Sequence, residues 1–152
     1  MTFAITLFVV SWIFYILFAD KSKLPFFLST VYFGMIVALM SDLFMHVVEL
    51  WKFNIENRLH IFIARWLTSW GVYFVIMYLF LQWLPKKQSI SSMFKYLFYW
   101  TTFSIIAEWL FVRMEWFIHL KWWNLFHSYW ADWVLYIIFY FHYKWIEKKR
   151  NN

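Results

Sequence analysis

Asp42, His46 and Glu49 stand at i, i+4 and i+7 in an otherwise apolar stretch. That spacing puts all three on one face of a helix. Thr101, Ser104, Glu108, Glu115 and His119 follow with steps of 3, 4, 7 and 4, again close to one face. Arg65 and Ser69 lie one turn apart. His127 and Asp132 are about 140° apart on a helical wheel, so they need not share a face. As chemistry, Asp42, Glu108 and Asp132 would supply oxygen ligands or proton acceptors. His46, His119 and His127 would supply imidazoles. Arg65 would neutralise a carboxylate or grip an anionic headgroup. A divalent metal ion held by His and carboxylates without thiolate would be zinc, manganese or iron. No His-x-x-x-His, Glu-x-x-His or His-Glu-x-x-His string is present, and no nucleophile–base pair stands out.

The elements that must hold these groups are membrane helices. Apolar residues make up 64% of the chain and charged residues 14%, against about 25% charged in a soluble domain. Aromatics reach 28%, more than a soluble core of this size would bury but readily solvated by lipid and its interface. A span needs about 20 mostly apolar residues. Five candidates fit: about 3–19, 24–48, 61–84, 93–118 and 123–145, making residues 1–152 a single all-α transmembrane domain. Pro25 sits in the first turn of the second, where a missing N–H costs little. Ser91 or Ser92 is placed to cap the fourth. That helix is apolar to Phe111 and continues with a polar face toward His119. The first helix lacks a basic leader and a small-residue cleavage site, so it reads as retained.

Orientation follows from Lys and Arg. With the N-terminus outside and the C-terminus cytoplasmic, nine basic residues face inward, including Lys86, Lys87 and Lys148-Lys149-Arg150, and five face outward. Asp42, Arg65, Glu108 and His127 then all fall toward the outer ends of their helices. Arg65 and His127 lie about 6 Å inside, at the helical rise. Charge buried in hydrocarbon is expensive, so each such group needs a partner or a cavity. Glu49, Glu56, Arg58 and His60 flank a loop and read as solvated. Glu115 and His119 are secondary candidates, equally readable as the polar face of an interfacial helix. Tyr129, Asp132, Tyr136, Tyr140 and Tyr143 form a seam on the fifth helix, as packing or as a proton path. With no cysteine, disulfides and thiolate ligands are excluded. The net charge of +6 sits at helix ends, where it sets orientation and meets anionic headgroups rather than nucleic acid.

One stretch carries a resemblance: Glu108-Trp109-Leu110, then Glu115 to Trp123, then Phe126-His127-Ser128, with Asp42 and Arg65 upstream. It resembles an uncharacterised family of small multipass membrane proteins from spore-forming Firmicutes. Ile63-Ala64 precede Arg65 where that family carries Tyr-Pro. The resemblance implies a five-helix body and no particular activity.

The leading expectation is an integral protein of the cytoplasmic membrane, in contact with membrane lipid. Its outward-facing carboxylate/His/Arg site would bind a cation, a proton or a lipid headgroup. Other readings stay open. One is an accessory or scaffold subunit, in a homo-oligomer or with a partner membrane protein, whose polar network only fixes helix packing. Another is a metal-assisted lipid hydrolase with Glu108 or Asp42 as base or ligand and His46 or His127 as ligand. A third is a proton-coupled transporter. Whether the protein is an enzyme stays open with them.

Overall fold

The computed structural model describes residues 1–152, the side chain of Asn151 excepted. Helices hold 79% of the residues, in five rods. They are α1 (Thr2–Phe18), α2 (Leu24–Val47), α3 (Arg58–Gln82), α4 (Ile90–Arg113) and α5 (Leu125–Asn151). Two strands of three residues, β1 (Trp51–Phe53) and β2 (Phe117–His119), pair antiparallel. Two helices, Lys21–Val47 with its leading 3-10 turn and Arg58–Gln82, are long and apolar enough to cross a membrane. The apolar helix α1 is shorter, at 17 residues.

Local chemistry sets the helix ends. Asn57 caps α3, its Oδ1 accepting from the Leu59 and His60 amides at 2.9 and 3.2 Å. That cap starts the helix three residues before the expected Ile61. Ser89, not Ser91 or Ser92, caps α4 by accepting from the Ser92 amide at 3.3 Å. Asn124 caps α5 through the Phe126 amide at 3.0 Å. At its other end α5 runs past Trp145 through the basic tail. Lys144 pairs there with Glu147, and cations in a last turn favour the helix dipole. The main correction concerns α4, which ends at Arg113 instead of continuing to residue 118. Glu115 takes a left-handed conformation, φ 56°, and the chain turns into β2.

The chain forms two compact units. The first comprises residues 1–41, 55–83 and 139–152. Its centre is α1 against α3. Trp12 stacks on Phe74 at 5.6 Å between ring centroids, and Tyr15 meets Tyr78 edge-on at 5.1 Å. In the middle of α3, Ser69–Tyr73 forms a π turn. Gly71 lies within it, and a Cβ there would stand 2.9 Å from Phe8 Cα. Only glycine permits that backbone approach, the usual device of close helix pairs in membranes. At one end of the unit, the Gln82 side chain accepts from the Asp20 amide at 2.7 Å and donates to the Phe18 carbonyl at 2.8 Å. Tyr78 donates to the Asp20 carbonyl at 2.5 Å. The α1–α2 turn is thus tied to the end of α3. His142 lies flat on Phe33, 4.0 Å between centroids, with Nδ1 3.1 Å from Thr30 Oγ1.

The second unit comprises residues 42–54 and 84–138. Here α4 and the first half of α5 carry the polar seam, and the two strands form a ribbon that joins the loops after α2 and α4. Trp51 is paired with His119 and Phe53 with Phe117. Alternation along a strand therefore gives these four side chains one face and Lys52 and Ile118 the other. The aromatic face is packed: Trp51 and Phe117 rings lie 4.2 Å apart, and Trp51 and Phe53 are buried.

Across both units many large apolar side chains stay uncovered. Leu17 is 69% exposed, Val47 79% and Ile90 91%.

Candidate functional site

Glu108 is the centre of the best-defined polar cluster. Its Oε1 lies 2.7 Å from His119 Nε2 and accepts from Ser128 Oγ at 2.6 Å. Ser128 in turn accepts from Trp123 Nε1 at 2.9 Å. Each group arrives by a different route. Glu108 comes from the last turns of α4. Ser128 comes from the second turn of α5, whose start the Asn124 cap fixes. His119 comes from β2. The ribbon's alternation turns its imidazole to the same face as Phe117, 5.6 Å away between rings. As a continuation of α4, His119 would have stood about 16 Å along the axis from Glu108, eleven residues at the helical rise. The turn at Glu115 brings it back into contact instead.

Three left-handed residues shape this end of the unit: Glu49, Glu115 and Lys121, with φ of 58°, 56° and 53°. Such a conformation is uncommon outside glycine and disfavours any side chain with a Cβ. Partners hold all three. Lys121 donates to the Val48 carbonyl at 2.5 Å and pairs with Glu49 at 3.4 Å. The Glu115 carbonyl accepts from Asn54 Nδ2 at 2.9 Å.

From Glu108 the seam continues along both helices. Asp132 lies one turn beyond Ser128 on α5, half-buried and close enough to Glu108 for the two carboxyls to interact electrostatically. One turn further, Tyr136 is buried, its hydroxyl 2.8 Å from Ser104 Oγ on α4. Thr101, also on α4, is 0% exposed, and its hydroxyl has no hydrogen-bond partner among the described residues.

Asp42 is buried in the last turns of α2, 6% exposed. His46 is exposed, on an open recess of about 530 Å³ shared with Glu49, Trp51, Lys52 and Leu120. His127 sits in the first turn of α5 with Nδ1 3.0 Å from Asn124 Oδ1, its ring against Trp122 and Trp123. It supports the cap and takes no part in the Glu108 cluster. Glu115 is an exposed turn residue, not part of a helical polar face. Arg65 is buried in the first unit beside Thr68, whose hydroxyl donates to the Ala64 and Arg65 carbonyls at 3.0 Å. Sequence reasoning gave Ser128 and Trp123 no place in the site, reading Trp123 only as an outer-interface anchor. The signal for Ser128 was its place four residues before Asp132, on the same helical face.

A metal fits poorly. A catalytic zinc takes three protein ligands and a structural one four. Among the described residues, no group of three His, Asp or Glu side chains converges as such a site requires. Glu108 and His119 offer two donors, already engaged with each other.

No protein-family model, curated protein or solved structure matches the chain.

Proposed function

We propose that this is a five-span protein of the cytoplasmic membrane that binds and releases a proton at Glu108 and Asp132, near the outer ends of α4 and α5. The uncovered apolar side chains support the membrane reading, since soluble monomers rarely expose large contiguous apolar patches. The basic residues of the α3–α4 loop and of the tail support the N-outside orientation. Glu108 carries the site reading, because its one oxygen is held by both His119 and Ser128 with a second carboxyl nearby. Intramembrane carboxyls with polar neighbours are the usual elements of proton binding and relay. His119 then links the pair to the ribbon, where its own side chain stays partly exposed. The five-helix body is also what the resemblance to the small Firmicutes membrane proteins implies.

A scaffold reading is favoured by one observation. The Trp123–Ser128–Glu108–His119 chain is closed, each member having its partner within the protein.

Infrared difference spectroscopy between acidic and alkaline pH, on the protein in lipid, separates the two. Proton binding predicts a carboxylic acid C=O band that is lost in Glu108→Gln or Asp132→Asn while the protein stays folded. A scaffold predicts spectra that neither substitution alters.

A further inference from the structure

We propose that the α4–α5 seam conducts protons from the Glu108 site toward the opposite membrane face, resting on the reading of that site as a proton-binding one. The geometry is a file of exchangeable groups on two facing helices. It begins with His119, Glu108 and Ser128, in direct contact. Asp132 follows within electrostatic reach of Glu108, and then Tyr136, bonded to Ser104 at 2.8 Å. Thr101 continues the α4 face one turn from Ser104, with a fully buried hydroxyl that has no partner among the described residues. Tyr96, within electrostatic reach of Tyr136, stands near the start of α4. From Glu108 to Tyr96 is twelve residues, about 18 Å at the helical rise, more than half of a hydrocarbon core of about 30 Å.

The spacing argues for transport rather than packing alone. A pair that only fixes helix contact ends where its partners are satisfied. Here the polar face runs on through Ser104 to Thr101, whose buried hydroxyl has no partner among the described residues. Burying a hydroxyl without a partner is unfavourable. Retaining one inside a membrane helix has a physical reason if it accepts a hydrogen bond as a proton moves. Intramembrane ionisable groups with polar neighbours are the usual elements of proton relays.

The step is a simple relay. A carboxylate takes up one proton and later releases it. Each hydroxyl accepts a proton on an oxygen lone pair and donates its own onward. Every group returns to its starting form after one proton has crossed and its hydrogen bonds have turned back. No electron changes hands.

The test uses the full chain reconstituted in vesicles holding a pH-sensitive dye. An inward-negative potential is imposed with potassium and valinomycin. The expected result is internal acidification faster than in protein-free vesicles. Tyr136→Phe and Asp132→Asn should lower it to the protein-free rate. Asp132→Glu should keep it, and Glu56→Gln, an exposed loop change, should leave it as in the wild type. Acidification by the wild type no faster than in protein-free vesicles would overturn the proposal. So would an undiminished rate in both Tyr136→Phe and Asp132→Asn. If Asp132→Asn fails to fold, Tyr136→Phe alone decides, since it removes one hydroxyl and keeps the ring. A carboxyl band that depends on Glu108 together with no proton flux would sink the path and leave the binding site standing.

Discussion

Ser128 is where single-residue chemistry is most easily tested. Its hydroxyl donates to Glu108 and accepts from Trp123 Nε1. Ser128→Ala leaves the indole N–H without its acceptor and Glu108 with one donor fewer. Removing one partner of a buried hydrogen bond costs about 1–3 kcal/mol, so a drop of about 2 kcal/mol is expected in unfolding of the purified protein. Ser128→Thr keeps the hydroxyl and should lose less. An unchanged unfolding midpoint in Ser128→Ala would mean that the bonds are not maintained.

Glu147 gives a pH signature at the far end of α5. Its carboxyl is lowered below 4.5, chiefly by its bond to Lys144. A depressed carboxyl contributes stability that is full above the unfolded value and lost as pH falls through the folded one. The advantage of wild type over Glu147→Gln should therefore be present at neutral pH and fade in acid below 4.5. Thermal melts at several pH values check this, and a difference that grows on acidification would contradict it.

At the scale of elements, the two glycines make opposite predictions. The Cβ of Gly71→Ala would meet Phe8 Cα at 2.9 Å, a backbone atom that cannot step aside without moving α1. The Cβ of Gly34→Ala would meet Met77 Sδ at 2.8 Å, the movable part of a flexible side chain. Overpacking costs about 1–3 kcal/mol, and Gly71→Ala should fall at the upper end with Gly34→Ala well below it. Equal melting temperatures for the two variants would contradict the close approach of α1 to α3.

The ribbon can be tested by its register. Lys52 and Ile118 are Cα partners, and partners in an antiparallel pair lie about 4.5–5.5 Å apart, within disulfide range. Lys52→Cys with Ile118→Cys should cross-link on mild oxidation, in a chain with no other cysteine. Cross-linking instead from Phe53→Cys with Ile118→Cys would show a slipped register.

The elements also show how far the sequence could be read. Apolar runs marked the regions of all five helices, and two of these, Lys21–Val47 and Arg58–Gln82, are long and apolar enough to cross a membrane. The caps were missed by a few residues, since Asn57, Ser89 and Asn124 act through geometry that no periodicity announces. The ribbon was not legible at all. Three residues are too few for an alternation to register, and the left-handed turn at Glu115 lacks the glycine that would normally mark it. Glu108 and His119 stood out in the sequence as groups on one helical face. Their contact comes from the chain folding back. Ser104, Thr101 and Tyr136 were visible as helical stripes, because their spacing is all that their placement needs.

For the whole molecule, the account rests on a membrane around it and on which way it faces. The loop holding Lys86 and Lys87 and the tail holding Lys148, Lys149 and Arg150 should be cytoplasmic, and the loop from Trp51 to His60 external. On that orientation the Glu108–His119 pair would face the outside through the ribbon, the side from which the proposed path would take up its protons. The opposite orientation would put the same pair against the cytoplasm. Single cysteines in the cysteine-free chain, probed on intact cells with a membrane-impermeant thiol reagent, decide between them. The account predicts labelling at positions 54 and 57 and none at 88 or 151 until the cells are opened. Labelling at 88 with protection at 54 and 57 would contradict the orientation, and with it the outward-facing site.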